Sequence, residues 1–319
     1  MSWFIFAIIC ILGWGCADLF YKKSSDSDDR YSHLKIAVWV GIIMGIVAFC
    51  LLPFSESQFD IASFFVGVVK YSPASLFYII SMVIGYAGLR YLEVSIVSPV
   101  QNASGALSMV FMIVYFTFVG RITSIFDEMS VLDLIGTIII VIGMIALAIV
   151  EQVLSKEERK NANRKYVVGA LALIFPILYC VFDTLGTAAD GIILDEEVGL
   201  GLGEIDVIIL YGFTFLVAGF VCWIFLRIRT KKFYNPFRKS ESPKAIAAIC
   251  EEFGQIFYVY ALSGNPIVAA PMVASYCIVS VILARVILKE KLKISQYICV
   301  FAVIAGIVLL GISEGLAEA

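Results

Sequence analysis

The sequence predicts an all-α integral membrane protein of ten transmembrane helices, arranged as two inverted five-helix repeats. Three observations lead there. Of 319 residues, 61% are apolar and only 15% are charged, with a mean hydropathy of +0.97. A soluble domain is nearer half apolar and a quarter charged, so lipid must cover much of this surface. Apolar runs also recur at about 20 residues, the length of helix that crosses roughly 30 Å of hydrocarbon. Finally, the two halves of the chain share a pattern. The composition excludes a nucleic-acid binder, a secreted disulfide scaffold and a disordered tail.

Ten segments qualify as spans: about 2–21, 33–53, 73–93, 95–119, 131–150, 166–187, 206–227, 244–263, 265–288 and 294–313. Polar stretches separate several of them: Lys22 to Ser32, Ser155 to Lys165, Asp190 to Glu204 and Arg227 to Lys244. The first run lacks a basic leader and a small-residue cleavage site, so it is expected to be a retained helix. Residues 58–71 are apolar but short and carry Asp60 and Lys70. They are expected to form an interfacial helix lying on the membrane. The expected organisation is a first repeat over 1–150, a cytoplasmic linker over 151–165 and a second repeat over 166–319.

The basic residues orient the chain. With the amino terminus outside, every lysine and arginine except Lys70 and Arg121 falls on the cytoplasmic side, 21 of 23. The acidic loop holding Asp195, Glu196, Glu197 and Glu204 then falls outside. Both termini are expected outside, in the plasma (cytoplasmic) membrane.

The internal pattern is specific in its spacing. Pro99 is followed by Ser104 and Ser108, and Pro271 by Tyr276 and Ser280, at offsets of five and nine in both halves. Residues four apart share a helix face, so each half carries a polar stripe beyond a proline. Trp14 precedes Asp18 by four residues, as Tyr179 precedes Asp183, and Gly143 and Gly306 lie in matching closing spans. Five spans per half invert one half relative to the other, and such repeats place a transporter's substrate site between them near the midplane.

Ala261-Leu262 before Pro271, the run Leu288-Lys289-Glu290-Lys291-Leu292, Gln296 and Gly306 carry a resemblance. Gly88-Leu89-Arg90-Tyr91, Pro99, Gly136 and Gly143 form a weaker copy in the first half. On these residues the chain resembles the drug/metabolite transporter superfamily, of the EamA type with ten helices. The resemblance implies a membrane transporter and not an enzyme. Two features depart from the family pattern. Gly120-Arg121 stands where members usually carry a Gly/Lys-Glu pair, and members are generally drawn with both termini in the cytoplasm.

Charges within spans are costly and point to function. Glu251 and Glu252 lie about two turns inside the eighth span, about 100° apart, so one of them is expected to face a cavity and the sequence leaves open which. A carboxyl there can exchange a proton for a cation, unless Arg90 or Arg285 from another helix pairs with it. Gln255 and Tyr258 share this face. Gln101, Ser104, Ser108, Tyr276 and Ser280 are expected to line the cavity, with Asn102 on a neighbouring face. Asp18, Asp183, Trp14 and Tyr179 are candidates for gating or coupling. Plain alternatives stand beside these readings. The aspartates can reach the interface, serines in membrane helices often bond their own backbone, and the aromatics can serve as packing.

The expected function is secondary transport of a small cationic or zwitterionic solute such as an amine or amino acid, with proton antiport. Anionic or nucleotide-linked metabolites are the alternative, and they would need Arg90 or Arg285 in the cavity. An integral-membrane enzyme is the second. The single histidine, His33, and the eight cysteines without a CxxC give no catalytic or metal constellation. The expected partners are the substrate and the bilayer. No cofactor is expected.

Overall fold

The computed structural model describes residues 2–24, 29–91, 94–161, 174–287 and 292–317. Within them the chain is helical without a strand. The helices are α1 (Trp3–Ser24), α2 (Ser32–Leu51), α3 (Ile61–Tyr91), α4 (Val94–Phe118), α5 (Val131–Asn161), α6 (Ile174–Ile193), α7 (Glu204–Thr230), α8 (Ser242–Gly264), α9 (Pro266–Val273), α10 (Cys277–Ile287) and α11 (Ile294–Ala317). Nine spans among the described residues are long and apolar enough to cross a bilayer, α9 and α10 together forming one of them. The tenth expected span is α4, made less apolar by Gln101, Asn102, Ser104 and Ser108.

Three expectations change. Residues 61–71 do not form a separate interfacial helix; they are the first turns of α3, which continues through Pro73. A proline inside a helix strands the carbonyl four residues back. Here the Ser72 hydroxyl donates to that Val69 carbonyl at 2.8 Å, which keeps the helix intact. The expected linker is helical as far as Asn161, because its Glu, Gln, Lys and Arg residues are good helix formers. The polar stretch taken to begin at Asp190 begins later: α6 runs to Ile193, and Asp190 is fully buried.

The main packing pairs are α1 with α8, α3 with α6, α2 with α7 and α5 with α11. α4 also packs on α6 and α9, and α1 on α10. Exchange the halves, matching α1–α5 with α6, α7, α8, α9–α10 and α11. The α1–α8 pair becomes α6–α3, and α4–α6 becomes α10–α1. The α2–α7, α5–α11 and α4–α9 pairs map onto themselves. This set is unchanged by the exchange, the signature of a two-fold relation.

Close approach depends on glycine at the central crossings. A Cβ on Gly41 of α2 would stand 2.5 Å from the Phe215 carbonyl oxygen and 2.9 Å from the Gly219 Cα of α7. A Cβ on Gly13 of α1 would stand 2.9 Å from the Gly254 Cα of α8. Outside the bundle, Phe49, Ile61, Phe118, Ile142, Val286 and Phe301 leave large apolar surface exposed, as a lipid-facing exterior requires.

Candidate functional site

α1, α3, α4, α6, α7, α8 and α9, with the turn after α9, surround one cavity. It encloses about 880 Å³, counted out to its mouth. The span of α9 and α10 breaks there: Ala274–Tyr276 form a 3₁₀ turn three residues after Pro271. The missing proline N–H weakens the helix at this level. Ala270, Val273, Ala274 and Tyr276 from the break line the cavity. The ninth span is thus two short helices in place of the one expected.

Three carboxylates line the cavity: Asp18, Asp183 and Glu251. So do eight aromatics: Trp14, Tyr21, Tyr78, Tyr86, Tyr179, Tyr211, Tyr258 and Tyr276. Gln101, Asn102, Ser104, Thr187 and Gln255 add polar groups. The described lining contains no lysine, arginine or histidine. The Ser104 hydroxyl donates to Asp183 at 2.6 Å. The Trp14 indole N–H donates to the Glu251 carbonyl oxygen at 3.2 Å, and its ring lies 5.0 Å from Tyr258 and 5.8 Å from Tyr276. Gly254 makes room for that indole: a Cβ there would stand 2.3 Å from Trp14 Cδ1.

Glu251 lines the cavity and Glu252 does not. Glu252 is 3% exposed, and its Oε2 is buried without a hydrogen-bond partner. Ser108 and Ser280 also miss the cavity, contrary to expectation. Ser108 donates to the carbonyls of Ser104 and of Thr184 on α6. Ser280 donates to those of Tyr276 and of Gly15 on α1. Both stripes therefore end by tying the fourth span of one half to the first span of the other, and only Ser104 and Tyr276 of the four face the cavity. Arg90 and Arg285 have side chains outside the described residues, and so has Glu290.

One end of the bundle is closed by polar links between the halves. Arg121 pairs with Glu128 and, at 2.7 Å, with Asp195 across the halves. Burial opposes the Arg121 charge, but the hydrogen bonds and charges of Glu128 and Asp195 outweigh it and hold its pKa above the usual value. Ser55 and Ser57 of the first half bind Asp206 of α7. Ser2 and Trp3 both donate to Glu314 at 2.6 Å. Nearby, backbone hydrogen bonds from Ser124 and Thr123 and the Thr123 hydroxyl hold the Asp127 carboxyl below the usual range. At the other end, Lys35 with Asp29 and Lys244 with Glu241 stay within one half. Arg121→Gln should therefore weaken the closed end. Leaving a carboxylate that is 2% exposed without its cation costs about 2–4 kcal/mol, read as a thermal midpoint several degrees lower.

Residues 198–312 match the EamA-like transporter family. The match covers a little over a third of the chain, within its second half. Twenty-five chains of solved structure match as well. One is a crystal structure of a protein 12% identical, superposing with a TM-score of 0.61 over 96% of this chain and 95% of that one, which shows a shared fold. No curated protein matches.

Sequence reasoning missed several cavity residues. Tyr21, Met82, Gly85, Gly105 and Thr187 line it without having been singled out. Thr187 carries the one usable signal: it lies four residues after Asp183, on the same face of α6. Tyr78, Tyr86 and Tyr211 line the cavity too, and nothing in the sequence sorts them from packing aromatics.

Proposed function

We propose that the chain is a secondary transporter of small organic cations, exchanging them for protons by alternating access around this cavity. One observation carries the reading. Three carboxylates and eight aromatic faces line the same space, with no basic residue among its described lining. Negative charge held in a low-dielectric cavity must be balanced, by a proton or by a bound cation. Aromatic faces bind an ammonium or quaternary ammonium group within about 6 Å of the ring centre. The amides of Gln101, Asn102 and Gln255 extend the reading to zwitterionic amines.

Glu251 is the principal counter-charge. Asp183, held by Ser104, and Asp18 are the coupling or gating carboxylates, one on the first helix of each half. The broken span at Ala274–Tyr276 is the element best suited to flex. With the amino terminus outside, the end closed by Arg121, Asp195 and Asp206 faces outward, and the basic loops face the cytoplasm.

Charge movement in proteoliposomes on a sensor membrane tests this. Tetraethylammonium, phenethylamine, neutral amino acids, inorganic phosphate and a nucleotide sugar are applied with and without a pH gradient. Currents with the cations, changed by the gradient, are expected. Currents with the anions alone would overturn the cation reading and move the site to Arg90 or Arg285.

A further inference from the structure

Asp190 is a buried carboxylate that does not line the cavity. It lies on α6 one turn beyond Thr187, on the side of the cavity toward Arg121, and is fully buried. The Tyr71 hydroxyl donates to its Oδ1 at 2.7 Å. Its Oδ2 is buried with no hydrogen-bond partner. Burying such a group is costly, and a purely structural role would favour a fully satisfied one.

Its surroundings are hydroxyls. Tyr71 and Tyr78 face it from α3, Tyr211 from α7 and Tyr258 from α8. From α4 and α9, Met112 and Pro266 pack on the neighbouring Gly191. The nearest carboxyl on its own helix is Asp183, about two turns back. Tyr78 and Tyr258 are hydrogen-bonded to each other, and Tyr78 also donates to Thr187 at 3.1 Å. Tyr78, Tyr258 and Thr187 all line the cavity. They form a roof of hydroxyls with the cavity below and Asp190 above.

We infer that Asp190 is a second proton-carrying carboxylate of the transport cycle, loaded on the Arg121 side and joined to the cavity through the Tyr78–Tyr258 pair. A proton leaves Asp190 for the Tyr78 oxygen as the Tyr78 hydroxyl turns from Thr187 and passes its own to Tyr258, and Tyr258 releases one to the cavity. One proton crosses and each hydroxyl keeps one. The inference rests on the proposed cation–proton exchange. It adds a proton-carrying carboxylate that does not line the cavity.

Asp190→Asn in proteoliposomes tests it, with radiolabelled tetraethylammonium as the probe. This ion is permanently charged and does not cross the bilayer in a neutral form. Accumulation driven by a pH gradient should fall by about tenfold or more, while counterflow at equal pH stays within about threefold of the parent. Asp190→Glu should restore gradient-driven accumulation. Asp190→Ser, which needs less room and still meets Tyr71, is the second neutral variant should the amide fail to fold. Accumulation at the parental level in either neutral variant overturns the inference. So does loss of counterflow along with accumulation in both, which would make Asp190 part of the substrate site or the scaffold. A Glu251→Gln arm separates the two readings: parental accumulation and counterflow there would sink the proposed exchange itself, whatever Asp190 does.

Discussion

Glu251→Gln should reduce cation transport by about a hundredfold, while Glu252→Gln stays within about threefold of the parent. The two residues are adjacent and both are buried, 8% and 3% exposed. Only Glu251 lines the cavity. A cation stripped of water in a low-dielectric site loses about 3 kcal/mol or more when its counter-charge is removed, which is about two decades in affinity. The amide keeps the shape and most hydrogen-bonding capacity of the carboxyl, so the loss reports charge. Glu252 contributes no charge to the cavity, and the amide relieves a buried carboxylate that has an unpartnered oxygen. Initial rates of tetraethylammonium uptake at matched protein density measure both. Equal losses in the two variants would mean that Glu252 also reaches the substrate.

The second large effect is on folding. Gly41→Leu should destabilise the protein by about 3 kcal/mol or more, toward the upper end of what overpacking costs. The added side chain meets the backbone of Phe215 and Gly219, not the tip of a flexible neighbour. α2 and α7 map onto each other under the two-fold relation, so separating them disturbs both halves. Gly315→Leu, near the end of α11, is the control, because a Cβ there has nothing within 4 Å. The yield of monodisperse protein and its thermal midpoint in detergent read the difference. A drop is expected for Gly41→Leu and none for Gly315→Leu.

The spans were legible because bilayer thickness and backbone hydrogen bonding leave few ways to cross a membrane. Their edges were less so. Asp190 looked like the start of a loop because a carboxylate closing an apolar run usually marks the interface. Here Tyr71, distant in sequence, supplies its hydrogen bond, and α6 continues another turn. Residues 58–71 looked like an interfacial helix because the segment is short and carries Asp60 and Lys70, yet α3 runs on through Pro73. The Ser72 hydroxyl answers the stranded carbonyl.

The site was legible in part, for a geometric reason. Helical periodicity says which residues share a face. It does not say where that face points. Angular spacing alone implied that one of Glu251 and Glu252 faces inward, and the packing of α8 on α1 decides which. The stripes beyond Pro99 and Pro271 were real. Their last members, Ser108 and Ser280, are spent on tying helices together. Helical spacing from Glu251 marked Tyr258, but no sequence signal separates Tyr78, its partner over the cavity, from rings that only pack.

Cation–proton exchange at Glu251 requires that cation binding release a proton. Purified protein in weakly buffered detergent solution is titrated with tetraethylammonium while a pH indicator reports released protons. About one proton per bound cation is expected for the parent, and neither binding nor release for Glu251→Gln. Tight cation binding without proton release, or release in Glu251→Gln equal to the parent, would contradict that exchange.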